Sequence, residues 1–269
     1  MLTIDVGCEF TWRPEVPTAA VFQVEPRPDG PQLIRQEWTT DPLLRSRGYT
    51  DRFGNICRRL VLPPGSATIA YHARAVVDDG VDDADPDAAE LAPQDLPDDV
   101  ISFTLPSRFC HPEVLADAAW EHFGTVAPGY RRVQAICDFV HHHLKFEAGA
   151  SSPMTTAVDV YRSQSGVCRD FAHLMITLCR ALNIPARYAF GYLPDIGVPE
   201  PYDPMDFCAW TEVFLGGRWY TFDPRNNALR AGRVLIGRGR DAVDVAMVTA
   251  FGGAELVTMQ VWADEVGPL

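Results

Sequence analysis

Seven cysteines and seven histidines are the residues of this 269-residue chain best suited to covalent chemistry, and one cysteine stands apart by its position. Cys168 follows Gly166-Val167 and opens an apolar-periodic run that reads as a helix to Leu182. A thiol on a first helical turn meets unpaired backbone N–H groups at the positive end of the helix dipole. Both favour thiolate, the nucleophilic form, and lower the pKa from its free value of about 8.5. The same N–H groups suit a developing oxyanion. The competing reading is a buried cysteine used as a small hydrophobe. At about 100° per residue, Phe171, Leu174, Met175, Leu178 and Leu182 define the apolar face, and Cys168 lies at its edge, where a cleft can reach it.

A second group of residues sits on two β-runs, 207–215 and 218–223, joined by Gly216-Gly217. Gly-Gly between such runs is a strong two-residue hairpin signal and fixes a register. Leu215 then faces Arg218, Trp210 faces Asp223, and position 208 becomes a diagonal neighbour of Asp223 on the same face. That distance, roughly 5–8 Å, is within side-chain reach. A carboxylate there orients whatever stands at 208, and the residue is Cys208. Trp210 has two readings, packing beneath the site or lining an acyl-binding cleft.

The histidines supply no obvious base. His173 is about 140° round the helix from Cys168 and shares the polar side with Arg169, Thr177 and Arg180, which predicts an exposed side chain. His141, His142 and His143 end a helix over 129–144, where the dipole favours them. Cys137 and His141 have a metal-compatible spacing but no second ligand pair, so no metal is predicted. His72 falls on a strand, His111 beside Cys110 can cap the helix that follows, and His122 has no evident partner. Arg225-Asn226-Asn227 and the Gly- and Arg-rich stretch 233–240 fit neither a Walker A loop nor a dinucleotide fingerprint, and read as turn and solvent residues. No cofactor is predicted.

The elements that must position these residues fall into two halves. Residues 2–10 alternate, with Leu2, Ile4, Val6, Cys8 and Phe10 on one face, and strand signals follow at 19–24, 33–39, 56–62 and 69–77. Asp51 to Asn55 reads as a Gly-containing turn between two of them. This predicts an antiparallel β-sandwich-like domain over 1–100. Its last part, 78–99, carries ten carboxylates and no Lys or Arg, and reads as a solvated acidic linker. Residues 101–269 read as helices over 111–123, 129–144, 156–162 and 168–182, then strands at 186–193, 207–215, 218–223, 233–236 and 256–263. The class is α+β, with helices packed on an antiparallel sheet.

Composition narrows the function. At 47% hydrophobic and 22% charged, the chain has the makeup of a folded globular protein, which excludes wholesale disorder. The net charge of -13 comes mostly from the acidic segment; without it 26 acidic residues face 23 basic ones. No basic stripe exists to replace counterions on phosphates, so nucleic acid and anionic membrane are disfavoured as partners. The odd cysteine count, the lack of C-x-x-C spacing, the lack of a signal-like N-terminus and the absence of an apolar run of ~18 residues predict a cytoplasmic protein with reduced thiols.

Three stretches carry a resemblance. They are Gly166-Val167-Cys168-Arg169-Asp170-Phe171-Ala172, Leu178-Cys179-Arg180-Ala181-Leu182-Asn183-Ile184-Pro185-Ala186-Arg187, and Ala209-Trp210 continued by Gly217-Arg218-Trp219-Tyr220-Thr221-Phe222-Asp223-Pro224. Together they resemble the core of the bacterial transglutaminase-like superfamily over roughly residues 110–250, and the first hundred residues are similar to the β-rich domain often joined to it. The resemblance implies a papain-like fold and a Cys–His–Asp triad that acts on peptide or amide bonds through a thioester. It maps the nucleophile to Cys168 and the acid to Asp223. The family's His-Ala-Trp reads Cys208-Ala209-Trp210 here, so the general base is replaced by a thiol. A thiol beside a carboxylate is a poor base, and the loss removes roughly 10²–10⁴-fold of acid–base catalysis. Three readings stay open: a cysteine hydrolase or acyltransferase with an atypical triad, a peptide-binding or scaffold pseudoenzyme, and a Cys168–Cys208 redox dithiol.

Overall fold

Alternation of apolar residues builds the first half. The chain, described here by a computed structural model over residues 1–200 and 204–267, begins with β1 (Leu2–Pro14), β2 (Thr18–Phe22), β3 (Gln32–Asp41), β4 (Arg47–Thr50), β5 (Ile56–Leu62) and β6 (Ala67–Val77). Ile4, Val6, Cys8 and Phe10 of β1 are buried together, as the period of two requires. The predicted turn forms with Gly54 N–H donating to Asp51 O at 3.1 Å.

Four helices and a short helical turn follow. They are α1 (Asp98–Ile101), α2 (Ala116–Phe123), α3 (Tyr130–His143), α4 (Ala157–Ser163) and α5 (Cys168–Ala181), with the short strands β7 (Lys145–Phe146) and β8 (Ser165–Gly166) paired in parallel between them. Then come β9 (Ala186–Tyr192), β10 (Cys208–Leu215), β11 (Arg218–Phe222) and β12 (Val234–Gly239), which form one antiparallel sheet in the order β11-β10-β9-β12. β13 (Val248–Phe251) and β14 (Ala254–Val266) complete the chain.

The last two strands correct the expected division at residue 101. β14 pairs antiparallel with β1 from Thr3↔Val266 to Pro14↔Ala254, and β13 pairs with β2. The sandwich sheets are therefore β14-β1-β6-β3 and β13-β2-β5-β4. The strand read at 256–263 belongs to the first domain, not to the helical half. Local alternation marks a strand but cannot choose its sheet; here the long edge of β1 is capped by the returning chain.

α5 is the central helix, packed against β9 and β10 on one side and α2, α3 and α4 on others. Every residue from Asp170 to Arg180 is buried. The expectation of an exposed His173 fails for that reason. Its ring stacks on Phe109 at 5.2 Å, and its Nε2 accepts from the Ala242 N–H at 3.1 Å. Arg180 is buried too and donates to the carbonyls of Phe103, Leu105, Ala186 and Arg240. The loops around 103–110 and 240–242 cover the helix face that the sequence pattern leaves to solvent.

The acidic segment is likewise no free linker. Asp82 pairs with Arg233 at 2.9 Å, Asp83 with Arg218 at 3.0 Å, and Glu90 with Arg132 at 3.0 Å. Its carboxylates strap it across the helical half. Among the described residues no helix is long and apolar enough to cross a membrane.

Candidate active site

Three local features place Cys168. Asp170 accepts the Val167 N–H at 2.9 Å and closes the first turn of α5. Gly166 leaves room for this, because a Cβ there would lie 2.7 Å from Asp170 Cβ. The Cys168 thiol then donates to Phe207 O at 3.7 Å, on the strand entry that leads into Cys208.

The hairpin has the register expected from Gly216-Gly217, both with positive φ, and pairs Leu215↔Arg218 through Thr211↔Phe222. Asp223 lies one residue beyond the ladder. Cys208 starts β10 opposite Gly191 of β9. The thiol of Cys208 is pushed well above its usual pKa by burial first, then by the charge of Asp223 and the neighbouring Cys168. The charge of Asp223 is thus felt at Cys208, although Asp223 itself lines a different cavity, with Thr221, Phe222 and Asn227.

Cys168 and Cys208 open on a cavity of about 580 Å³, also walled by Phe207, Asn226, Arg230 and Met259. Met259 comes from β14, so the sandwich contributes to the cleft. None of the seven histidines lines it. His141 instead lies with Nδ1 3.0 Å from Arg225 O, on the segment that follows Asp223. Among the described residues no group of three or more His, Cys, Asp or Glu could hold a metal ion.

Two expectations change in detail. The helix N-terminus does not leave Cys168 with a low pKa. Burial pushes the thiol up to about 11, with Asp206 adding to the effect, and the Ala209 N–H and Arg225 only partly oppose it. Trp210 is 1% exposed and does not line the cavity. Its ring carries the Arg233 guanidinium at 4.8 Å, so it packs beneath the site.

Sequence reasoning missed the groups that hold Asp223. Arg233 Nη2 donates to Asp223 Oδ2 at 2.9 Å while its Nε donates to Asp82. Asn226 donates from its backbone to Oδ1 at 3.0 Å and from Nδ2 to Oδ2 at 2.8 Å. Both were read as turn and solvent residues. Nothing in the local sequence marks Arg233 as buried, and no spacing rule pairs it with Asp223. Oδ1 keeps acceptor capacity for one more donor.

The transglutaminase-like superfamily core matches residues 118–224, which span Cys168, Cys208 and Asp223. Over 99% of this chain and 91% of the other, the fold superposes with a TM-score of 0.88 and 30% identity on a candidate cysteine protease from Cytophaga hutchinsonii. This chain belongs to the transglutaminase-like superfamily. It has the papain-like α+β architecture of that superfamily, with helices packed on an antiparallel sheet. An uncharacterized protein of Mycobacterium leprae (strain TN) is 28% identical over 251 residues, 86% of each chain. The matched range holds Cys168 at the head of α5, Cys208 at the start of β10 and Asp223 just past β11.

Proposed function

We propose that the protein is a cysteine-dependent amide or peptide hydrolase or acyltransferase in which Cys168 forms the thioester. The observation that carries this is the placement of Cys168, which heads α5, donates its thiol proton to Phe207 O and opens on a cavity of ligand-binding size. The sulfur adds to the substrate carbonyl, its proton passes through water to the leaving amine, and the C–N bond breaks. Water or an amine then resolves the thioester. Trp210 acts in this reading as support beneath the cleft.

The missing imidazole sets the rate. Burial raises the thiol to about 11, so the thiolate is a minor species at neutral pH. Acylation is therefore slow and accelerates as pH rises. A second reading, a peptide-binding pseudoenzyme on the same fold, is favoured by the commitment of Asp223 to Arg233 and Asn226. The test is intact-mass spectrometry after exposure to a small aryl ester. The enzyme reading expects a Cys168 thioester that forms faster toward pH ~11, is absent from Cys168→Ala, and turns over repeatedly. An adduct that forms once and never resolves supports the binding protein. No adduct on Cys168 at any pH rejects the enzyme.

A further inference from the structure

One wall of the thiol cavity is a guanidinium whose hydrogen-bonding capacity is largely unused. Arg230 lines the cavity, and its side chain is 10% exposed. A guanidinium offers five N–H donors. Nη2 donates to Pro194 O at 2.8 Å and reaches Asp195 Oδ1 only at 3.5 Å. Nε is buried with no hydrogen-bond partner. Nε is closed off from the cavity, so the exposed part of the side chain that faces it belongs to the other guanidinium atoms and the stem.

From this we infer that Arg230 is a carboxylate-recognition residue of the cleft, and that the substrate is a peptide or amide bearing a carboxylate close to the bond presented to Cys168. The inference rests on the proposed acyl chemistry only for the location of the scissile bond. Guanidinium pairs with carboxylate in a planar fork, and the bond is charge-assisted. Asp195 already makes a long version of that contact from the rim, with its side chain 30% exposed. It acts as a placeholder that a substrate carboxylate displaces. Net charge does not do the selecting. Arg225 adds a cation to the same wall, but Asp195 and Asp206 offset the two arginines, so the recognition lies in the geometry of Arg230.

Calorimetric titration of the full chain with three short acetylated peptides tests this. One has a free C-terminal carboxylate, one a C-terminal amide, and one an amide with a glutamate side chain. The free acid, the glutamate peptide or both should bind roughly tenfold or more tighter than the plain amide, a difference of one charge-assisted pair. Which of the two acids binds tells a C-terminal from a side-chain carboxylate. Arg230→Met should erase the preference, Arg230→Lys should keep part of it, and Asp195→Asn should strengthen binding of the preferred acid. If Arg230→Met does not fold, the Lys and Asn variants carry the test. Equal binding of all three peptides, no binding of any, or a preference that survives Arg230→Met overturns the inference. Failure here leaves thioester formation with an uncharged aryl ester unaffected, so the two proposals fail separately.

Discussion

At the scale of single residues, burial governs the chemistry. Desolvation disfavours whichever form of a group is charged, and in this molecule it acts on both the thiols and an imidazole. His173 is pushed down to about 3 by burial first, with Arg169 adding to the effect and Asp170 opposing it. A neutral histidine in the folded chain takes up its proton only on unfolding. Its contribution to stability is complete above about 6.5 and is lost as pH falls toward about 3. The slope due to this group is about 1.4 kcal/mol per pH unit within that window. Urea denaturation across the window should show this loss, and His173→Gln, which keeps an acceptor for the Ala242 N–H, should flatten it. A variant with the wild-type slope would mean that His173 titrates normally.

At the scale of elements, the start of α5 decides where the thiol points. Gly166 is fixed by close approach and not by backbone conformation, since the missing Cβ is the space that Asp170 needs to reach Val167. Gly166→Ala should cost roughly 1–3 kcal/mol by overpacking and slow alkylation of Cys168, read by melting temperature and by labelling rate. Much at this scale was legible in the sequence. The Gly-Gly turn gave the hairpin register because a two-residue loop leaves no freedom. Asn183, with φ 63°, and Pro185 ended α5 where they were expected to. What was illegible depends on contacts remote in sequence. The buried polar side of α5, the membership of β14 in the sandwich, and the grip of Arg233 on Asp223 all come from segments tens of residues away. Helical periodicity reports a helix's own faces, and it says nothing of a loop that folds over the polar one.

At the scale of the whole molecule, the sandwich and the helical half share one core, and the site lies on their seam. Phe10 of β1 stacks on Phe207 at 6.3 Å, directly before Cys208, and Tyr192 donates to Val24 O at 2.9 Å. The carbonyl of Phe207 is the acceptor of the Cys168 thiol, so the sandwich helps to hold the cleft in register. Phe10→Ala should destabilise the chain by roughly 3–5 kcal/mol. Both halves should melt together in calorimetry. Two separate transitions would show that the seam does not couple them.

In the proposed chemistry Cys168 is the nucleophile, Asp223 the acid, and position 208 carries a thiol where the family motif has histidine. Cys208→Asp would only add charge to a buried site; Cys208→His supplies the missing group on the cavity wall, within the field of Asp223, whose Oδ1 accepts the Asn226 N–H and has capacity for one more donor. The direct measurement is the rate of aryl-ester hydrolysis by folded Cys208→His against wild type at neutral pH. We predict a gain of roughly 10²–10⁴-fold that vanishes on adding Cys168→Ala. A folded variant that hydrolyses no faster than wild type would contradict the arrangement.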